Sequence, residues 1–177
     1  EICACLVGSE MCIRDRRCPW ATFGKLKHRG PNIVTSLELD PAEMEKRNIH
    51  LQQKYAEIEE KEVRYEEIHC DDAEYLIVAF GSCARIAQKA MEEARAEGIK
   101  VGLLRPITLW PFPSKAIAER SRQVKGILTV ELNAGQMVED VRLAVECKVP
   151  VEYFGRLGGI VPDPDEVVTA LKEKIIK

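Results

Sequence analysis

"YLIVAFGSC", residues 75–83, decides the fold. Six apolar residues without a polar alternation read as a strand buried on both faces, and Gly81-Ser82 turns it directly into a helix. That helix is expected over Cys83 to Glu97, with Ser82 as its cap and Gly98 as its stop. The unit then repeats downstream. Strands are expected at Lys100 to Arg105, Gly126 to Leu132 and Pro150 to Phe154, and helices at Lys115 to Gln123 and Gln136 to Glu146. A last helix is expected over Asp165 to Ile176, with Asp163 as cap and Pro164 at its first position. Four strand-helix units with short connections require right-handed crossovers and a parallel sheet covered on both sides. The fold expected is therefore α/β, a doubly wound and mostly parallel sheet of about four strands over residues 73–177.

Upstream the texture differs. Residues 17–72 read as a linker followed by one long connecting helix, with a short extended segment at Asn32 to Leu37. Asp40-Pro41-Ala42-Glu43 is a helix-start signal, and the helix is expected over Pro41 to Glu67. Its apolar residues Met44, Ile49, Leu51, Tyr55, Ile58 and Val63 form a thin stripe among many charges, the pattern of a helix lying across another domain or subunit.

Cys3, Cys5, Cys12 and Cys18 offer soft metal ligands, but their spacing fits no common zinc or iron-sulfur pattern. The run Leu6 to Arg16, "LVGSEMCIRDR", has neither strand nor helix periodicity and resembles one reading frame of the transposon-end adapter used in fragmentation-based DNA sequencing libraries. Residues 1–16 are accordingly expected to be non-native, with native sequence entering near Arg17. The odd cysteine count of seven argues against a disulfide framework.

With 46% hydrophobic and 31% charged residues, the composition excludes a chain disordered throughout. A net charge of -3 with interleaved signs excludes a basic nucleic-acid stripe. No run approaches the roughly 18 apolar residues that span a bilayer, so no membrane partner is expected and the location expected is cytoplasmic.

In doubly wound sheets, ligands and partners meet the carboxyl ends of the strands. Four segments lie there: Gly81-Ser82-Cys83, Arg105 through Pro113, Glu131 through Gln136, and Gly155 through Pro162. Gly81 and Ser82 could present backbone N–H groups to an anion, and Arg156 could reach one, but a single glycine is not the three-glycine dinucleotide fingerprint. Cys83 reads either as a packed thiol or as one activated by a helix N-terminus. In "RPITLWPFP" (105–113), Arg105, Thr108, Trp110 and Phe112 suit an interface anchored by arginine and aromatics. Asn133 and Gln136 add adaptable amides. His28, His50 and His69 all fall outside the α/β core, so no Ser-His-Asp or Cys-His grouping assembles.

Three separated motifs, "VGLLRPITLWPFP" (101–113), "VELNAGQMVEDVRLAVE" (130–146) and "YFGRLGGIVPDPDEV" (153–167), with the linker "PNIVTSLELDPAEMEKRN" (31–48), resemble the C-terminal part of the alpha subunit of a 2-oxoacid:ferredoxin oxidoreductase. The branched-chain 2-oxoisovalerate type is the nearest in flavour. The resemblance implies a domain like the C-terminal domain of transketolase, from an enzyme that converts a 2-oxoacid and coenzyme A to an acyl-CoA and reduces ferredoxin. It further implies thiamine diphosphate, magnesium and iron-sulfur clusters held on other domains and subunits, with none bound by this fragment. No catalytic residue transfers onto this chain, which is expected to be inactive alone and to serve assembly with the other subunits. The competing expectation is a stand-alone nucleotide- or coenzyme A-binding module.

Overall fold

The computed structural model describes residues 37–176. The adapter-like segment, the four N-terminal cysteines and the extended segment proposed before Leu37 lie outside the described residues. The chain divides into two units, Glu1–Ile49 and His50–Lys177. Helix α1, Pro41–Lys61, begins where Asp40 accepts the backbone N–H of Ala42 at 2.8 Å, as the start signal requires. None of its 21 residues is buried.

The remaining elements are β1 (Tyr65–Ile68), β2 (Tyr75–Ala79), α2 (Gly81–Ala96), β3 (Val101–Pro106), α3 (Ser114–Arg120), β4 (Ile127–Glu131), α4 (Met137–Val145), β5 (Val151–Gly155) and α5 (Pro164–Leu171). A π-helical turn over Lys172–Ile176 follows α5. The strands form one sheet in the order β1-β3-β2-β4-β5. β3, β2, β4 and β5 run parallel, whereas β1 is antiparallel to β3.

Each face of the sheet carries its own core, which is why β2 shows no polar alternation. Ile77 and Ala79 face a cluster built with Ala84, Ala87, Ala90 and Met91 of α2 and Val167 and Leu171 of α5. Leu76 and Val78 face the opposite cluster, built with Ile117 of α3 and Met137, Val141 and Val145 of α4. Alanines at helical spacing on α2 present almost no side-chain bulk, so the helix packs close on the sheet.

Three sequence expectations are corrected. The long helix stops at Lys61 rather than Glu67, and the sheet has five strands rather than about four. Both corrections have one cause. "YEEI" is rich in helix-favouring glutamate, yet β3 has a free edge there, and Glu66 lies opposite Arg105 with 3.3 Å between their charged groups. Cross-strand pairing overrides local helical propensity. Third, α2 starts at Gly81, and its N-cap is Phe80 in extended conformation, not Ser82. Gly81 has φ +56°, a left-handed value that a side chain tolerates poorly at so sharp an exit from the strand.

Candidate functional site at the strand ends

The four parallel strands place the segments after β3, β2, β4 and β5 side by side along one edge. β2 sends α2 to one face of the sheet and β4 sends α4 to the other, so a crevice opens between their carboxyl ends. Gly81 and Ser82 are exposed on one side of that switch point, and no side chain caps α2.

The other side is built around Glu131, whose role sequence reading missed. It is the last residue of β4 and is 0% exposed. One carboxylate oxygen, Oε2, accepts the backbone N–H groups of Met137 at 2.8 Å and Gln136 at 3.2 Å. The other, Oε1, accepts that of Val138 at 3.0 Å. The first amides of α4, which the helix cannot satisfy itself, are thus taken by a carboxylate from the preceding strand. The only sequence signal was a glutamate closing an otherwise uncharged strand.

The loop between them is pinned from outside as well. Asn133 Oδ1 accepts the Gly135 N–H at 2.7 Å, and the Tyr153 phenol donates to the Asn133 carbonyl. Gly155 leaves room for this, since a Cβ there would collide with the Tyr153 phenol and come within 2.8 Å of the Glu131 carbonyl. Gln136 is exposed and Asn133 half-buried, so the loop offers its amides outward while its backbone is fixed.

Cys83 is buried at the start of α2. Burial, and secondarily the Glu131 charge, push its thiol up to about 11. It stays protonated at neutral pH, so the packed-thiol reading holds over the activated one. Burial and the same Glu131 charge also raise the Tyr153 phenol. Arg156 lies with its guanidinium on Glu166, whose carboxylate also accepts the Asp163 N–H at 3.1 Å at the start of α5.

The segment after β3 forms a second feature. Ile107 and Thr108 both donate backbone N–H groups to the Arg64 carbonyl, at 3.0 and 3.1 Å. The Thr108 hydroxyl accepts the Arg64 N–H at 3.0 Å and donates to the Pro111 carbonyl at 2.8 Å. Thr108 therefore fastens this loop to the connection between α1 and β1. Arg105 pairs across the sheet with Glu66 at 3.3 Å. Phe112 packs partly onto the α3–α4 core. Trp110 is 55% exposed and meets Tyr55 edge-on with ring centroids 5.6 Å apart. Together with Ala56, Val63, Tyr65 and Lys115, Trp110 and Phe112 line a groove of about 750 Å³. Ile107 and Leu109 of the same loop are 52% and 48% exposed.

Among the described residues, no group of three His, Cys, Asp or Glu side chains is placed to hold a metal ion, and no helix is long and apolar enough to cross a membrane. The described thiolates and carboxylates thus form no cluster that fits magnesium or an iron-sulfur centre, and no step through these groups is assigned to the chain. A stand-alone nucleotide-binding module is not favoured either, because Glu131 occupies the amides at the start of α4 and Glu166 holds Arg156.

Comparison with known proteins agrees with this architecture. The chain is 49% identical over 154 residues to the ketoisovalerate oxidoreductase subunit VorB of Methanothermobacter thermautotrophicus, a match covering 87% of this chain and 43% of the relative. It is 33% identical over 101 residues to the 2-oxoglutarate synthase subunit KorA of Methanothermobacter marburgensis, covering 57% of this chain and 27% of the relative. The chain thus spans less than half the length of the curated relatives it matches. Among solved structures, a 2-oxoglutarate:ferredoxin oxidoreductase from Magnetococcus marinus superposes with a TM-score of 0.70 at 24% identity, covering 83% of this chain and 27% of that one. A split-gene transketolase superposes at 0.55 with 18% identity, covering 81% of this chain and 45% of that one. Both show the fold alone. The model of the pyruvate:ferredoxin oxidoreductase core domain II matches residues 73–167, from the turn before β2 into α5, and the chain belongs to that family.

Proposed function

We propose that this chain is the C-terminal part of the alpha subunit of a ketoisovalerate-type 2-oxoacid:ferredoxin oxidoreductase, and that its α/β domain serves domain and subunit assembly. The observation that carries the substrate class is the 49% identity over 154 residues to a ketoisovalerate oxidoreductase subunit, against 33% over 101 residues to a 2-oxoglutarate synthase subunit. The whole complex would convert 3-methyl-2-oxobutanoate and coenzyme A to an acyl-CoA and carbon dioxide, passing two electrons to ferredoxin. Thiamine diphosphate, magnesium and iron-sulfur clusters would supply the carbanion and electron chemistry from residues outside this chain. The location is cytoplasmic on this reading, and residues 1–16 are not native.

Assembly is supported by where the apolar surface lies. Trp110, Leu109 and Ile107 stand exposed on a loop fastened by Thr108, next to a helix without a buried residue. Such aromatic surface on a fixed loop is the makeup of an interface anchor. Asn133 and Gln136 add polar contacts beside the switch point. The substrate assignment is tested with the complete complex, by measuring coenzyme A-dependent reduction of ferredoxin with a panel of 2-oxoacids. The expected order places 3-methyl-2-oxobutanoate at least about tenfold above 2-oxoglutarate and pyruvate in kcat/KM, a difference of about 1.4 kcal/mol. Equal or inverted preference would refute the ketoisovalerate type.

A further inference from the structure

Glu131 presents a problem that the assembly reading leaves open. A carboxylate fully removed from water is costly unless it is well bonded, and here its bonds go to three consecutive backbone amides rather than to a cation. Those amides are the positive end of α4, the place where doubly wound domains commonly receive a ligand's anionic group. The helix's own N-cap, Gln136, contributes no side-chain bond to them. The anion is therefore supplied from the end of the neighbouring strand, across a loop of five residues.

We propose that Glu131 is a positioning residue, the built-in anion of the strand-end crevice, which closes α4 onto β4 and holds residues 132–136 in the one conformation that a partner meets. The geometry supports this in two ways. Both carboxylate oxygens are used, so the side chain has a single orientation, and the bonded amides lie immediately after the loop that carries Asn133 and Gln136. Two other bonds hold the loop, the Tyr153 phenol from β5 on the Asn133 carbonyl and the Asn133 side chain on the Gly135 N–H, and neither reaches the first turn of α4. Without Glu131 the backbone amides of Gln136, Met137 and Val138 have no remaining side-chain tether among the described bonds. What the loop meets rests on the assembly reading; what Glu131 does to the loop does not.

The test uses the 177-residue chain with Glu131→Gln and Glu131→Ala, and reads amide hydrogen exchange residue by residue. In Glu131→Gln, which keeps the shape and one acceptor oxygen, exchange at Gln136, Met137 and Val138 is expected to rise at least about tenfold while amides of β2 and β3 keep their wild-type rates. In Glu131→Ala, formate is expected to raise the midpoint of thermal unfolding saturably, by refilling the vacated carboxylate position, with no such rise in the wild type. Unchanged exchange at the three amides, or acceleration spread evenly over the sheet, would overturn the proposal. So would a formate effect equal in variant and wild type. The same Glu131→Gln change in the complete complex separates the two readings: faster local exchange with wild-type subunit association leaves the positioning role standing and removes the loop from the assembly surface.

Discussion

Truncation of Ile77 to alanine is expected to remove about 2–5 kcal/mol from the unfolding free energy, and truncation of neighbouring Leu76 a comparable amount. Adjacent residues on a strand point to opposite faces, so in a sheet with one wet face only one of the pair would matter. Here Leu76 is 0% and Ile77 1% exposed, and they belong to different clusters. β2 is also central, with β3 on one side and β4 on the other, so neither site can relax toward an edge. Against a total stability of about 5–15 kcal/mol, either change takes a large share. Urea unfolding of the two variants measures this directly. A loss below about 1 kcal/mol in one variant would mean that one face of the sheet is not packed as described.

The second large effect is expected at Trp110, in a different observable. Replacing it by alanine in the full-length subunit is expected to weaken association with its partners by about 2 kcal/mol, roughly 30-fold in dissociation constant. In the isolated chain the same change forfeits little beyond the edge-on contact with Tyr55, about 0.5–1.5 kcal/mol, because more than half of the side chain is already in water. A buried tryptophan would show the reverse, with a stability loss of about 3–5 kcal/mol and no association effect of its own. Titration of partner subunits by sedimentation, paired with urea unfolding of the chain alone, distinguishes the two. Strong destabilisation with unchanged association would mean that Trp110 serves its own core.

What the sequence disclosed and what it withheld divide by range. β2, α2 and the parallel strands after them were legible because "YLIVAF" and the alanine-spaced face of residues 84–94 carry their environment in their own composition. The start of α1 at Asp40-Pro41 was legible for the same reason, since a cap acts within three residues. β1 was not, because the feature that makes "YEEI" a strand is Arg105 and the free edge of β3, some forty residues away. Distance also hid the partners of the candidate site residues. Arg105 belongs to Glu66, and Arg156 to Glu166, so both cations sit against carboxylates that only folding brings to them. Ser82 was read as a cap from its residue type, whereas the backbone turn at Gly81 starts the helix one residue earlier. Glu131 was the largest omission. A glutamate at a strand end normally faces solvent, and nothing local announces that the first amides of the next helix fold back onto it.

Sedimentation velocity of the 177-residue chain mixed with the remaining domains and partner subunits of its oxidoreductase tests assembly most directly. The expected result is that the chain moves with the larger species at stoichiometric ratio, and that this species is depleted when Trp110→Ala is used instead. A chain that sediments alone at every ratio, wild type and variant alike, would contradict the assembly role.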